Sequence, residues 1–297
     1  MQIKEILDRV DNLEIVMPEF QREYVWSKDQ AKELMVSLFS DYPTGSLLFW
    51  NASSENAPEV KNKAINRDKL GMVDIILDGQ QRVTTLYMLI EGKIPPYYKK
   101  RDIGKDPRNL YFNLKTGQFL YHMKTKMDGN VLWQKVVDCF GDSEINAISI
   151  AKKYVDKHQG DFEAIASEIN DNLMKLRNIN EKEYPVQRVP SNAQIDEAID
   201  VFDRVNSQGT KLTDAELVLT HITGKWPEAR RQFKEKQNEL KAEFFDFNLD
   251  FLTRCMVIEL TGSARLNDNA KLDYDKFEKS DYINAWQKLH KTLDYLI

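Results

Sequence analysis

The sequence predicts an α+β fold, with a compact mixed unit over residues 1–125 followed by a mostly α-helical region over residues 126–297. Three observations lead there. Two short apolar runs, 46–50 and 72–77, read as buried strands, and each adjoins a stretch with helical spacing. Residues 110–113 and 118–121 flank a turn at Thr116-Gly117 and read as a β-hairpin. Beyond residue 125 the apolar positions recur every three to four residues, the pattern of packed helices.

In order, Ile3, Ile6, Leu7 and Val10 predict an opening amphipathic helix. Residues 15–26 read as extended, interrupted at Pro18. Ser27 and Gln30 have the spacing of a capping box, and Ala31, Leu34, Met35, Leu38 and Phe39 form one face of a helix over 28–40. Residues 51–71 are a long polar excursion between the two apolar strands. Val83, Leu86, Tyr87 and Ile90 continue at helical spacing directly after the second strand. The later helices are expected at 131–140, 144–158, 161–178, 194–206, 214–222, 226–243, 249–261 and 281–297, with an extended segment at 184–189.

Composition removes several function classes. The 297 residues carry a net charge of −5, with +1 over residues 1–125 and −6 over the remainder, so bulk charge does not favour nucleic acid. The closest glycines, Gly71 and Gly79, are too far apart for a Walker loop or a dinucleotide fingerprint. His122, His158, His221 and His290 are dispersed, which excludes a compact His-Asn-His nuclease motif, and Cys139 and Cys255 support no disulfide framework or zinc knuckle. No apolar run approaches membrane-spanning length and no secretory signal is visible, so a cytoplasmic location is expected.

Three segments carry candidate chemistry. In Asp78-Gly79-Gln80-Gln81-Arg82-Val83-Thr84-Thr85, a buried strand enters a turn and a helix starts at once, an arrangement that aims free N–H groups at an anion. There Arg82 is suited to phosphate, Asp78 to a divalent cation or a base, Gln80 or Gln81 to orienting a water, and Thr84 and Thr85 supply hydroxyls. The plainer reading makes Asp78 an N-cap and the rest a wet surface. In Phe20-Gln21-Arg22-Glu23-Tyr24-Val25-Trp26, an arginine beside two aromatics suits phosphate binding with base stacking, or a cation–π closure of the core. The third segment, Phe202 to Glu216, reads as a helix–turn–helix hinge that leaves Arg204 and Asn206 unexplained. The basic run Lys99, Lys100, Arg101, Lys105 and Arg108 reads either as a phosphate contact or as a solvated loop with Asp102 and Asp106 interleaved.

Taken in order, Pro18–Trp26, Tyr42–Leu48, Asp78–Leu86 and Phe202–Leu212 resemble the N-terminal nucleotide-binding domain of GmrSD-type modification-dependent restriction enzymes. The Asp-Gly-Gln-Gln-Arg stretch is the specific part. The resemblance implies a ParB/sulfiredoxin-like core that binds and hydrolyses a nucleoside triphosphate (GTP or another) with Mg²⁺, coupled to sensing of modified DNA. It assigns catalysis to Asp78, Gln80, Gln81 and Arg82, with Asp78 at the metal. Nucleotide binding falls to Gln21, Arg22, Tyr24, Trp26, Gly79, Thr84, Thr85 and Asn206, and a His-Asn-His nuclease is expected outside these residues, as a domain or subunit. Two other readings stay open: a nucleotide-gated binding module without turnover, and a DNA-binding protein in which Arg22 and Arg82 face DNA phosphates.

Overall fold

A computed structural model describes residues 1–53, 58, 60–61, 71–141, 145–206, 213–263 and 276–296. They form two compact units. The first contains Met1–Val16, Glu23–Phe49 and 62–188; the second contains Met17–Arg22, Trp50–Lys61 and 189–297.

In the first unit, α1 (Ile3–Asp11) buries Ile3, Ile6, Leu7 and Val10, the face its spacing predicts. The expected extended segment shrinks to β1 (Ile15–Val16), because the chain turns at Pro18, whose carbonyl accepts from the Gln21 N–H. Helix α2 (Lys28–Phe39) starts with the predicted capping box, since the Ser27 hydroxyl accepts from Gln30 N and Gln30 Oε1 accepts from Ser27 N. Strands β2 (Leu47–Ser53) and β3 (Met72–Asp78) are almost wholly apolar, which is what strands covered on both faces require. β1 lies parallel to β3, with Ile15 opposite Asp74 and Val16 opposite Ile75. The sheet order is β1-β3-β2-β7, with β7 at Val186–Val189, the segment expected to be extended. One buried charge lies in β3: Asp74 pairs with Arg9 at 3.0 Å and Arg188 at 3.4 Å.

Helix α3 (Gln80–Ile90) follows β3 immediately, and the predicted hairpin forms β4 (Leu110–Asn113) and β5 (Phe119–Tyr121), closed at Gly117. Short α4 (Lys124–Met127) follows. The helix expected over 131–140 is instead strand β6 (Trp133–Lys135) plus one short helix, α5 (Val136–Phe140). The open edge of β4 decides this, since Tyr111, Phe112 and Asn113 pair with residues 133–135 and make a three-stranded antiparallel sheet. Helices α6 (Ala147–His158) and α7 (Phe162–Arg177) complete the unit. The first residue of the helix expected from 144 lies outside the described residues.

The second unit is helical: α8 (Ile195–Asn206), α9 (Asp214–Lys225), α10 (Ala229–Ala242), α11 (Leu249–Thr261) and α12 (Lys279–Asp294). Helix α10 starts later than its apolar spacing suggests, just beyond Trp226-Pro227, since proline disfavours helical geometry in the residue before it. Its core is built on Trp226, Phe233 and Trp286, with the Phe233 and Trp286 rings stacked at 4.3 Å. Lys236 is 1% exposed and is held by Asp294 at 2.5 Å and Glu239 at 3.0 Å, which fastens α12 to α10. Replacing Trp286 by alanine removes a stacked, buried ring, and a loss of roughly 3–5 kcal/mol is expected. Urea unfolding followed by circular dichroism measures it, and an unchanged midpoint would contradict this packing.

Candidate functional site

The specific motif lies at a strand–turn–helix junction in the first unit. β3 ends at Asp78, Gly79 takes the left-handed conformation at φ 90°, and α3 begins at Gln80. A β-carbon at position 79 would be strained by that φ and would collide with Leu47 Cδ2. No side chain caps α3. Val83 is the first residue to donate inside the helix, to Gly79 O at 3.0 Å. The backbone N–H groups of Gln80, Gln81 and Arg82 meet no acceptor among the described residues. Helix ends normally satisfy such groups with side chains, water or a ligand, and the helix dipole adds positive potential here.

The side chains around that end are mostly committed to holding it. Arg82 donates from Nη1 to Thr44 O at 2.7 Å, and from Nη2 to Ser46 O at 2.8 Å and Asp78 Oδ2 at 3.0 Å. Its guanidinium lies against Gly45 and Gly79, where any β-carbon would meet it. Gln81 is buried and its amide is committed to the backbone of residues 23–26: Oε1 accepts from Val25 N at 2.9 Å and Trp26 N at 3.2 Å, while Nε2 donates to Glu23 O at 2.9 Å. It ties the segment holding Tyr24 and Trp26 to the start of α3, which makes it a positioning residue for that segment. Gln80 differs. Its Oε1 accepts from Tyr98 Oη at 3.3 Å, and its Nε2 has no partner among the described residues.

Tyr24, Thr84 and Thr85, expected to face a nucleotide, are turned inward. Tyr24 Oη and Thr85 Oγ1 lie 2.9 Å apart, and Thr85 Oγ1 donates to Gln81 O at 2.7 Å. Burial pushes the Tyr24 phenol up to about 12, with the Thr85 hydrogen bond opposing the rise. Thr84 Oγ1 is sealed from water, with the buried Tyr97 hydroxyl as its neighbour. Trp26 is half-buried, and Asp78, 32% exposed, has Oδ1 free of any partner among the described residues.

Residues 17–22 belong to the second unit. There Gln21 is buried, and Arg22 is 16% exposed with Glu216 Oε1 at 3.8 Å from Nη1. Glu216 is also the N3 residue of the predicted α9 capping box with Thr213. Asn206 ends α8, and its side chain lies outside the described residues, as do residues 207–212. In the basic run, Arg108 is closed by Asp106 at 2.6 Å, and Lys99 N donates to Asp102 at 2.8 Å, as the solvated-loop reading expects. Burial pushes the Cys139 thiol up to about 12, the character of a core filler and not a nucleophile. Among the described residues no group of three His, Cys, Asp or Glu side chains is placed to hold a metal, and no helix is long and apolar enough to cross a membrane.

Four contributors escaped the sequence reading. The carbonyls of Thr44 and Ser46 hold Arg82, Tyr98 holds Gln80, and Glu216 meets Arg22. A backbone carbonyl has no residue-type signature. Gly45 marked its loop, whereas Tyr98 looks like any aromatic after two prolines.

A model of the GmrSD restriction endonuclease N-terminal domain matches residues 3–223. The chain belongs to that family. The match covers the described first unit and the second as far as most of α9; α10, α11 and α12 lie beyond it. The GmrSD-type chain is also similar to an uncharacterized protein, MJ0686, from Methanocaldococcus jannaschii, at 26% identity over 257 residues. That alignment covers 76% of this chain and 43% of the relative, so the chain spans less than half of the relative's length.

The hydrogen bonds give Gln81 a structural task whose loss is measurable. Gln81→Ala leaves two N–H groups and one carbonyl without partners, and a cost on the order of 2–3 kcal/mol is expected. Thermal and urea unfolding report it; an unaltered stability would contradict the tether. Tyr24 sets a pH dependence. Its folded pKa is raised, so its contribution is fully present below pH 10 and is lost as pH rises towards 12. Tyr24→Phe should flatten the fall of melting temperature above pH 10.

Proposed function

We propose that the chain is the nucleoside-triphosphate-binding regulatory domain of a restriction system, and that the phosphates are received at the N-terminus of α3. The observation that carries this reading is the set of three unpartnered N–H groups at Gln80, Gln81 and Arg82, on a turn that only glycine can make. Phosphate at such a helix end gains three amide donors and the dipole together. The parallel β1–β3 pair leading into α3 is in keeping with the ParB/sulfiredoxin-like core that the resemblance implies.

Mg²⁺ fits the residues present. This ion is commonly bound by one or two carboxylates, with substrate phosphate and water completing its shell, and Asp78 offers one exposed carboxylate with a free oxygen. Bound there, it would neutralise phosphate charge. Of the glutamines, Gln80 is the one whose Nε2 has no partner among the described residues, so it is the residue to position a water or a phosphate oxygen. Arg82 supports the site by fixing the 44–46 loop beside the turn. Hydrolysis, sensing of modified DNA and a nuclease partner are the wider functions proposed with this domain.

Binding without turnover is a second reading. It is favoured by the three hydrogen bonds that commit Gln81 to the backbone of residues 23–26 and by the Arg82 partner already on Asp78. Calorimetric titration and phosphate release with GTP, ATP, CTP and UTP in Mg²⁺ separate the two. The enzyme reading expects Gln80→Ala to retain affinity within a few-fold and to lose turnover by at least roughly ten-fold. Saturable binding without phosphate release in the wild type supports the switch, and absence of any nucleotide binding defeats both.

A further inference from the structure

A cavity in the first unit lies between the loop after α4 and helix α6, separate in sequence from the α3 junction. It encloses about 250 Å³ and its walls carry Lys126, Lys153 and Lys157. None of these three ammonium groups has an ion-pair partner among the described residues. The one acidic wall residue, Asp128, is engaged by His122 Nε2 at 3.0 Å. Gly129, also in the wall, presents an N–H with no acceptor among the described residues, and open space surrounds its α-carbon. Asn130 holds this loop in shape, its Oδ1 accepting from Leu132 N at 3.1 Å. On the helix side the Tyr154 ring packs against His158 at 4.7 Å, and Lys115 Nζ lies 5.2 Å from its centroid.

We propose that this cavity is a binding site for the phosphodiester backbone of a nucleic-acid strand. Three lysines against the single wall carboxylate of Asp128 leave the cavity net positive, which is what phosphate neutralisation needs. The lysines are also spread out. Lys153 and Lys157 are one helical turn apart, which separates their β-carbons by roughly 5–6 Å along α6, and Lys126 stands on the other wall. Such an array fits successive charges along a chain better than one compact anion. The cavity is open to solvent on one side, so a strand can lay its backbone across it. Recognition here is therefore of backbone, and its specificity for sequence is low. The site needs nothing from the reading of the α3 junction.

The test is fluorescence anisotropy of the full chain with labelled single-stranded and duplex oligonucleotides. The variants are Lys126→Gln/Lys153→Gln/Lys157→Gln and, as a control on the same helix but outside the cavity, Lys152→Gln. The triple variant should bind at least roughly ten-fold more weakly at low salt, and the slope of log affinity against log salt should fall by about two. The control should match the wild type, and nucleotide binding should be unchanged in both, which keeps this result distinct from the fate of the proposed nucleotide site. The inference is overturned if no oligonucleotide binds, if the triple variant binds as well as the wild type, or if Lys152→Gln weakens binding equally. It is also overturned if inorganic pyrophosphate at the same phosphate concentration displaces the oligonucleotide as well as unlabelled strand does. That outcome would make the cavity a site for free phosphate.

Discussion

The arrangement around the α3 junction depends on where the Arg82 guanidinium sits. It is anchored on two backbone carbonyls and one carboxylate, Thr44 O, Ser46 O and Asp78 Oδ2, and it lies against two glycines in positive-φ conformations. A guanidinium can do this because its donors are fixed in one plane, whereas a lysine ammonium cannot span two carbonyls in the same geometry. The loop before β2 and the turn after β3 are thereby held to one another. Their glycines follow from the same constraint, since a β-carbon at 45 or 79 would displace the arginine or Leu47.

Gln81 supplies the second half of the frame. Its three hydrogen bonds hold the backbone of residues 23–26, so the aromatic segment keeps its place beside the helix start. With Arg82 and Gln81 occupied, the junction leaves open its amides, one oxygen of Asp78 and the Nε2 of Gln80. A polyphosphate would thus meet backbone donors already fixed in position. Preorganised donors of this kind cost little to reorganise on binding and gain from the helix dipole. The two most polar-looking residues of the motif act as scaffold, and the least conspicuous groups, the backbone amides, are the ones left without acceptors among the described residues.

Most of the first unit was legible because its signals are local. The apolar face of α1, the capping box at Ser27 and Gln30, the strand–glycine–helix order at Asp78 to Gln80 and the 110–121 hairpin each follow from residues close in sequence. What escaped was decided at long range. Residues 133–135 have helical spacing but pair with the free edge of β4, so tertiary pairing overrode local pattern. At the junction, residue type suggested phosphate chemistry for Arg82 and Gln81 alike. Their hydrogen bonds to backbone atoms of residues 23–26 and 44–46 are invisible in a sequence, because every residue carries the same carbonyl and N–H.

The central claim is that the amides at the start of α3 receive the triphosphate, and amide hydrogen exchange tests it most directly. Exchange over residues 78–86 is to be compared in the free chain, with a nucleoside triphosphate and Mg²⁺, and with the matching nucleoside. The account predicts slower exchange at Gln80, Gln81 and Arg82 with the triphosphate and no change with the nucleoside. Saturating nucleotide that leaves those three amides exchanging at the free rate would contradict it.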